Sequence, residues 1–282
     1  MGVINITPDS FSDGGQYNQK EAFTLRLKVL GERVDMIDIG AQSTAPKSQA
    51  ISETDEIQRF TPFISLLAEH FPHGKILSID TYRFETFMSV YQELKPKRPD
   101  IIFWWNDVCG KIEEAWLDKF LQNTSAIYVQ GHTLVPIREQ TPEHLKFSWQ
   151  KDNQELIHHL QEHFQKGKKI FEDRGAGERI IFDPCFGFSK NREQNLFLLK
   201  ALPKLVTFFP ETQEWLLGIS RKSFLRPPDL KGEELIFYTE VLQTLILKGW
   251  VEKLPKNKLI FRVHNELALN PLRAYQCNLI PQ

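Results

Sequence analysis

Eight short apolar segments recur along the chain, and their rhythm limits the possible folds more than any other feature. They are Gly2 to Ile6, Val34 to Ile39, Ile76 to Ile79, Ile101 to Trp105, Ala126 to Val129, Ile180 to Phe182, Leu216 to Ile219 and Leu259 to Val263. Each is a continuous apolar run, the pattern of parallel strands covered on both faces. The stretches between them carry helical periodicity with charges interleaved, over Glu21 to Val34, Glu53 to His70, Phe84 to Leu94, Glu113 to Leu121, Asn153 to Gln165, Glu193 to Leu202 and Glu233 to Leu247. The mean strand spacing of about 37 residues is one βα unit with room for loops. Eight such units in 282 residues predict an α/β fold, a single (β/α)8 TIM barrel over residues 1–282, with its site at the C-terminal ends of the strands. An open doubly wound sheet is the alternative. Between the fifth and sixth strands, Gly131 to Gly177 breaks the rhythm, and Pro136 and Pro142 predict an extended loop before a polar helix. No repeat, low-complexity tract or Gly/Ser linker marks a domain boundary.

Charge and composition narrow the function classes. With 35 Lys+Arg against 36 Asp+Glu the net charge is -1, so no overall basic field draws the chain to nucleic acid or to an anionic membrane. Any anion site must be local. The longest apolar run, Ile101 to Trp105, falls far short of the ~20 residues of a membrane helix, so a soluble protein is expected. Met1 stands directly on the first strand pattern with no basic region or small-residue cleavage site, so no secretory leader is expected. Cys109, Cys185 and Cys277 are far apart and form no C-x-x-C pair, which argues against a disulfide framework or zinc site and for a reducing, cytoplasmic setting.

The residues that follow the apolar runs carry the chemistry, because active sites of such barrels lie at the C-terminal ends of the strands. They are Asn5, Asp38, Asp80, Asn106 with Asp107, Gln130 with His132, Asp183, the run Ser220-Arg221-Lys222, and Arg262 with His264. One polar residue at a strand end is ordinary, since the chain must leave the core; eight converging on one rim are not. Asp80, Asn106 and Asp183 offer acceptors and one amide, which suits a flat amino-oxo heterocycle presenting N–H donors. Arg221, Lys222, Arg262 and His264 belong to the last two strands, where this fold often holds phosphate, and they form an anion side. The expected ligand is a heterocycle bearing a phosphate group.

Other patterns are weaker. No G-x-x-x-x-G-K-[ST] loop is present, and Gly175-Ala176-Gly177 lacks the third glycine of a dinucleotide fingerprint. His159 and His163 are spaced i, i+4 but read H-L-Q-E-H, so a solvated helix face is expected there rather than a metal pair. The cysteines are expected to be buried hydrophobes.

With these residues laid out, the chain resembles dihydropteroate synthase. Met1-Gly-Val-Ile-Asn-Ile-Thr-Pro-Asp-Ser-Phe-Ser-Asp-Gly-Gly15 is similar to that family's opening signature and Asp38-Ile-Gly-Ala-Gln-Ser-Thr44 to its second. Ser78-Ile-Asp-Thr81, Asn106-Asp-Val-Cys-Gly110, Asp183-Pro-Cys-Phe-Gly-Phe-Ser-Lys190, Gly218-Ile-Ser-Arg-Lys-Ser-Phe224 and Arg262-Val-His264 follow in family order. The resemblance implies a barrel, usually dimeric, that joins 4-aminobenzoate to 6-hydroxymethyl-7,8-dihydropterin diphosphate and releases diphosphate, a step of folate synthesis. By position, Asp80, Asn106, Asp183 and Lys222 would hold the pterin; Asn5, Arg262 and His264 the diphosphate; and Thr44, Pro46, Phe188, Lys190 and Ser223 the aminobenzoate. Asp80, Lys222, Arg262 and His264 would be the catalytic set. Asn5 would help place the Mg²⁺ the family uses. Loops at about Thr7 to Gly15 and Ala41 to Ser52 would close over the site, and the last three units are the expected dimer surface.

Several positions depart from the family pattern. Ala45 stands where arginine is usual and Ala41-Gln42 where Gly-Glu is usual. Cys185 replaces a glycine, which is expected to crowd the pterin floor or alter the turn. Asn265 replaces an aspartate, and Arg226-Pro227-Pro228 follows the seventh-strand motif, offering Arg226 as a substitute cation. Two alternatives therefore stay open: a non-catalytic pterin-binding paralogue, and a methyltetrahydrofolate methyltransferase with a corrinoid partner. Thr7-Pro-Asp-Ser-Phe-Ser12 and Ser220-Arg-Lys-Ser223 favour the synthase over the latter.

Overall fold

The structure is a computed structural model and describes residues 1–7, 15–42, 51–133 and 152–276. Its strands are β1 (Gly2–Asn5), β2 (Met36–Gly40), β3 (Ile76–Asp80), β4 (Ile102–Asp107), β5 (Ile127–Gln130), β6 (Ile180–Phe182), β7 (Glu214–Leu217) and β8 (Lys258–Phe261). Its α-helices are α1 (Gly15–Arg33), α2 (Glu53–His70), α3 (Phe84–Leu94), α4 (Glu114–Asn123), α5 (Asn153–Glu172), α6 (Arg192–Val206), α7 (Gly232–Lys253) and α8 (Asn270–Gln276). The strands pair in parallel in sequence order, and a bridge from Gly2 to Val263 returns the last strand to the first. This is the expected (β/α)8 barrel. The short α8 carries no helical signal in the sequence reading, while α1 and α5 run longer than their apolar periodicity.

The period of two along a strand decides what faces the barrel interior. Met36, Ile76, Trp104, Ile127, Val129, Ile181, Leu216 and Ile260 fill its lower part. Two residues further on, the same parity brings Asp38, Ser78, Asn106, Asp183 and Arg262 to the upper part. The opposite parity, Ile37, Leu77, Phe103, Trp105, Tyr128, Phe182 and Trp215, packs outward against the helices in the main core. Aromatic rings fill that layer: Trp105 and Trp116 lie edge-to-face at 4.7 Å, and Phe164 stacks on Phe182 at 4.7 Å. The continuous apolar strands are therefore apolar on both faces up to the point where the rim begins.

Pairing is uneven around the ring. β3 and β4 share five register pairs, whereas β6 and β7 share one among the described residues, Phe182 with Trp215. Helix α2 is fixed at its start by a capping box in which Ser52 Oγ accepts from the Asp55 N–H and Asp55 reaches back to Ser52. No helix among the described residues is long and apolar enough to cross a membrane.

Candidate active site

The centre of the rim is a carboxylate–guanidinium–carboxylate bridge. Arg262 donates from Nε to Asp38 Oδ2 and from Nη2 to Asp80 Oδ2, both at 2.7 Å. Asp38 is fully buried and also accepts from Ser78 Oγ at 2.6 Å and Asn106 Nδ2 at 3.2 Å. Burial opposes the Arg262 charge, but Asp38 and Asp80 together hold it above its usual range. Burial, reinforced by Asp38, pushes Asp80 upward against the pull of Arg262. One guanidinium thus serves two carboxylates, and the trio carries a net negative charge above about pH 7, where Asp80 is ionised.

Asp38 was expected to end its strand, but β2 runs to Gly40, which pairs with Asp80. At Gly40 a side chain would sit 3.3 Å from Asp80 Cβ, so this end of β2 leaves Asp80 its space. The central role of Asp38 was not foreseen. Its period-two relation to the barrel floor was the signal, and its partner is 224 residues away in sequence.

Asp183 follows β6 on the same inward parity. Its Oδ1 accepts from the Cys185 N–H at 2.7 Å, which favours the charged form, yet burial dominates and raises its pKa to about 6. Lys222 approaches from the other side, its Nζ 4.4 Å from the centre of the Phe188 ring. Burial first, then Arg262, lowers the amine to about 8. Gly187, at φ 86°, makes room for this approach: a side chain there would sit 3.3 Å from Lys222 Cδ.

Cys185 explains its own departure from the family. It adopts φ 49°, a left-handed backbone that glycine takes without strain. A cysteine there carries backbone strain that a glycine would avoid. It is buried with Tyr82, Val108 and Cys109, accepting from the His132 N–H at 3.3 Å. Cys109 and Cys185 are free thiols, as expected of buried hydrophobes, and Cys277 lies outside the described residues.

The remaining candidates divide. Asn5 ends β1 exposed on the rim, and Ser223 is exposed at the start of a short 3-10 turn after β7. His264 is half-buried, with an Nδ1 that has no hydrogen-bond partner; burial, then Arg262, lowers its pKa to about 4. Lys190 differs from expectation. It is buried and donates to the carbonyls of Phe188, His132 and Cys185 at 3.1, 3.3 and 3.4 Å, so it ties the loop after β6 to the end of β5 instead of facing the rim. His132 likewise is no rim residue. It is buried against His159 and His163, whose i, i+4 pair on α5 is half-buried rather than solvated. Arg226 donates to the Arg221 carbonyl at the surface, and Asn265 caps the following turn by accepting from the Leu267 N–H. Thr44, Ala45 and Pro46, and most of the two loops expected to close, lie outside the described residues.

Acceptors and one amide on strands two to six, facing cations on the last two, make a barrel rim built for a polar heterocycle joined to an anionic group. That defines a class of barrel enzymes rather than a single protein. The match to the family model for pterin binding enzymes over residues 1–246, together with the relatives below, shows that the chain belongs to the pterin-binding enzymes and, among them, to the dihydropteroate synthases. It is 33% identical over 228 residues to the dihydropteroate synthase of Synechocystis, covering 80% of this chain and 72% of that one. It is 32% identical over 237 residues to the folate synthesis bifunctional protein of Arabidopsis thaliana, of which it spans just under half (46%) and which covers 80% of this chain. The dihydropteroate synthase of Xanthomonas albilineans, solved with 4-aminobenzoic acid, superposes with a TM-score of 0.76 at 26% identity, covering all of this chain and 93% of that one.

Proposed function

We propose that this chain condenses 6-hydroxymethyl-7,8-dihydropterin diphosphate with 4-aminobenzoate, releasing 7,8-dihydropteroate and diphosphate. The observation that carries the reading is that Asp183 and Asn106 share one rim with Lys222 and with the Arg262 bridge. Asp183, ionised above about pH 6, accepts from the amino and ring N–H donors of the pterin. Asn106 and Asp80 complete its edge, and Lys222 donates from the side of Phe188. Arg262 and the half-buried His264 ring lie on the side assigned to the diphosphate.

In the reaction the bond between the pterin methylene carbon and the diphosphate oxygen breaks, with the electron pair leaving on diphosphate. The arylamine nitrogen attacks the cationic methylene and then loses a proton. With Asp80 ionised, above about pH 7, the residual negative charge of the Asp38, Arg262 and Asp80 trio stabilises that cation, while the cations of the last two strands stabilise the leaving group. The aminobenzoate belongs beside Phe188 and Ser223, with Thr44 and Pro46 the expected further contacts. Lys190, turned inward, supports that wall rather than touching the substrate.

The residues present fit a substrate-borne Mg²⁺. Asn5 offers one exposed amide oxygen beside the diphosphate side, and the described residues hold no cluster of three or more His, Cys, Asp or Glu that could cage a metal. Mg²⁺ commonly uses few protein ligands and completes its shell with phosphate oxygens and water. Bound there, it would neutralise charge developing on the leaving diphosphate.

The test is diphosphate release by the purified protein with pterin diphosphate and Mg²⁺, with and without 4-aminobenzoate, alongside detection of dihydropteroate. Aminobenzoate-dependent product is expected. Tight pterin binding without product would instead make the chain a paralogue that keeps the pocket and lacks turnover.

The reading extends to a homodimer through α7. Its buried side includes Thr239 and Gln243, whereas Ile236, Phe237, Tyr238, Val241 and Leu245 face outward, Phe237 71% exposed. A helix apolar on its outer face normally has that face covered. Sedimentation of Phe237→Asp should give a monomer where the unsubstituted chain gives a dimer; a monomer in both would remove the proposal. A cytoplasmic setting completes the reading and suits the free thiols of Cys109 and Cys185.

A further inference from the structure

His264 stands two residues beyond Arg262, half-buried, with a buried Nδ1 that has no hydrogen-bond partner, so whatever fixes its backbone helps fix its ring. Two side chains from distant elements grip it. Its N–H donates to Ser220 Oγ, just after β7, at 3.2 Å, and its carbonyl accepts from Arg26 Nη2, on α1, at 3.3 Å. The same guanidinium binds both oxygens of Glu266 at 3.1 and 2.9 Å, and Arg33 adds a third contact at 3.1 Å. Glu266 is only 3% exposed, so its charge depends on these partners. Between them Asn265 Nδ2 donates to Glu240 on α7 at 2.9 Å. Residues 264–266 are thus held from the β7 end, from α1 and from α7, and Arg26 alone among these partners touches both His264 and Glu266.

We propose that Arg26 is a positioning residue for diphosphate recognition, acting through the His264 carbonyl and the Glu266 carboxylate to hold the His264 ring at the anion side. This rests on the synthase reading above. Arg26 lies on α1, and its hydrogen bonds among the described residues go to His264 and Glu266, not to those assigned to the pterin or the aminobenzoate. A forked guanidinium is required because one group must meet two carboxylate oxygens and a carbonyl together, which a lysine ammonium cannot match in geometry.

The test uses the full chain with Arg26→Ala, Arg26→Lys and His264→Ala, read by calorimetric binding of inorganic pyrophosphate with Mg²⁺, by the KM of each substrate and by Tm. Arg26→Ala should weaken pyrophosphate binding and raise the KM for pterin diphosphate by roughly five- to tenfold, leaving the KM for 4-aminobenzoate within about twofold. Arg26→Lys should recover part of this, and should report the same KM split if the alanine variant folds poorly. Combined with His264→Ala, Arg26→Ala should add little, since both act through one ring. Unchanged pyrophosphate binding in folded Arg26 variants, or full additivity with His264→Ala, overturns the proposal while leaving the synthase reading intact. An unsubstituted chain that neither binds pyrophosphate nor forms dihydropteroate overturns both.

Discussion

Asp183→Ala should lower pterin affinity by about a hundredfold, because two or more donors of the ring lose a charged acceptor. The fold should survive, since among the described residues the carboxylate's hydrogen bond is to the Cys185 N–H and burial already works against its charge. Calorimetry with the pterin diphosphate reads the effect directly; unchanged affinity would put the ring elsewhere. The same carboxylate sets the acid limb of the pH profile. Its pKa is raised to about 6, and the ligand binds the ionised form, so affinity is full above that value and declines by about tenfold per unit below it. Lys222, lowered to about 8, loses its charge above that value. A bell-shaped kcat/KM is therefore expected, with Asp183 near 6 and Asp80 near 7 on its acid side and Lys222 near 8 on its basic side, and Asp183→Asn should remove the lower acid step while keeping the side-chain shape.

Arg262→Ala should do more damage, to stability as well as to activity. It leaves Asp38 fully buried and Asp80 beside it without their bridging guanidinium, and breaking a buried pair in this way costs about 3–5 kcal/mol. Arg262→Lys should fail to repair it, because a single ammonium cannot reproduce separate contacts from Nε to Asp38 and from Nη2 to Asp80. The double variant Asp38→Asn with Arg262→Met removes the more deeply buried of the two stranded charges, leaving Asp80 near Lys222, and should recover part of the stability, while activity stays absent. Denaturant unfolding and kcat/KM measured on all three separate the two roles. If Arg262→Ala were as stable as the unsubstituted chain, the bridge would carry no structural load.

These contrasts show how far the sequence was legible. Parallel strands buried on both faces announce themselves as continuous apolar runs, so the barrel and the rim residues Asp80, Asn106, Asp183, Lys222 and Arg262 could be read in order. What a linear reading lacks is which rim residues face one another. Asp38 looked like a strand end and is the buried hub of the site, a role created by a partner on the last strand. Lys190 sits in a family-like motif, yet its amine turns under the loop onto three carbonyls, which depends on the positive φ values of Cys185, Gly187 and Ser189 beside it. His159 and His163 had a polar helical spacing suggestive of solvent and are instead packed against His132, because α5 lies against the end of β5 at that point.

The thin seam between β6 and β7 bears on how the ring opens. Asp183 leaves the barrel on one side of it, and Lys222 and Arg262 belong to the two strands on the other. With Phe182 and Trp215 the one register pair joining β6 to β7 among the described residues, parting there gives up less backbone pairing than parting between β3 and β4. Breathing along this line would widen the gap between the acceptor that holds the heterocycle and the cations that hold its leaving group, without disturbing the Asp38, Arg262 and Asp80 bridge that crosses the opposite wall. Amide protons of β7 should then exchange faster than those of β3 in the ligand-free chain, and a bound substrate spanning the gap should slow them, acting as a clasp across the barrel's least-stitched edge.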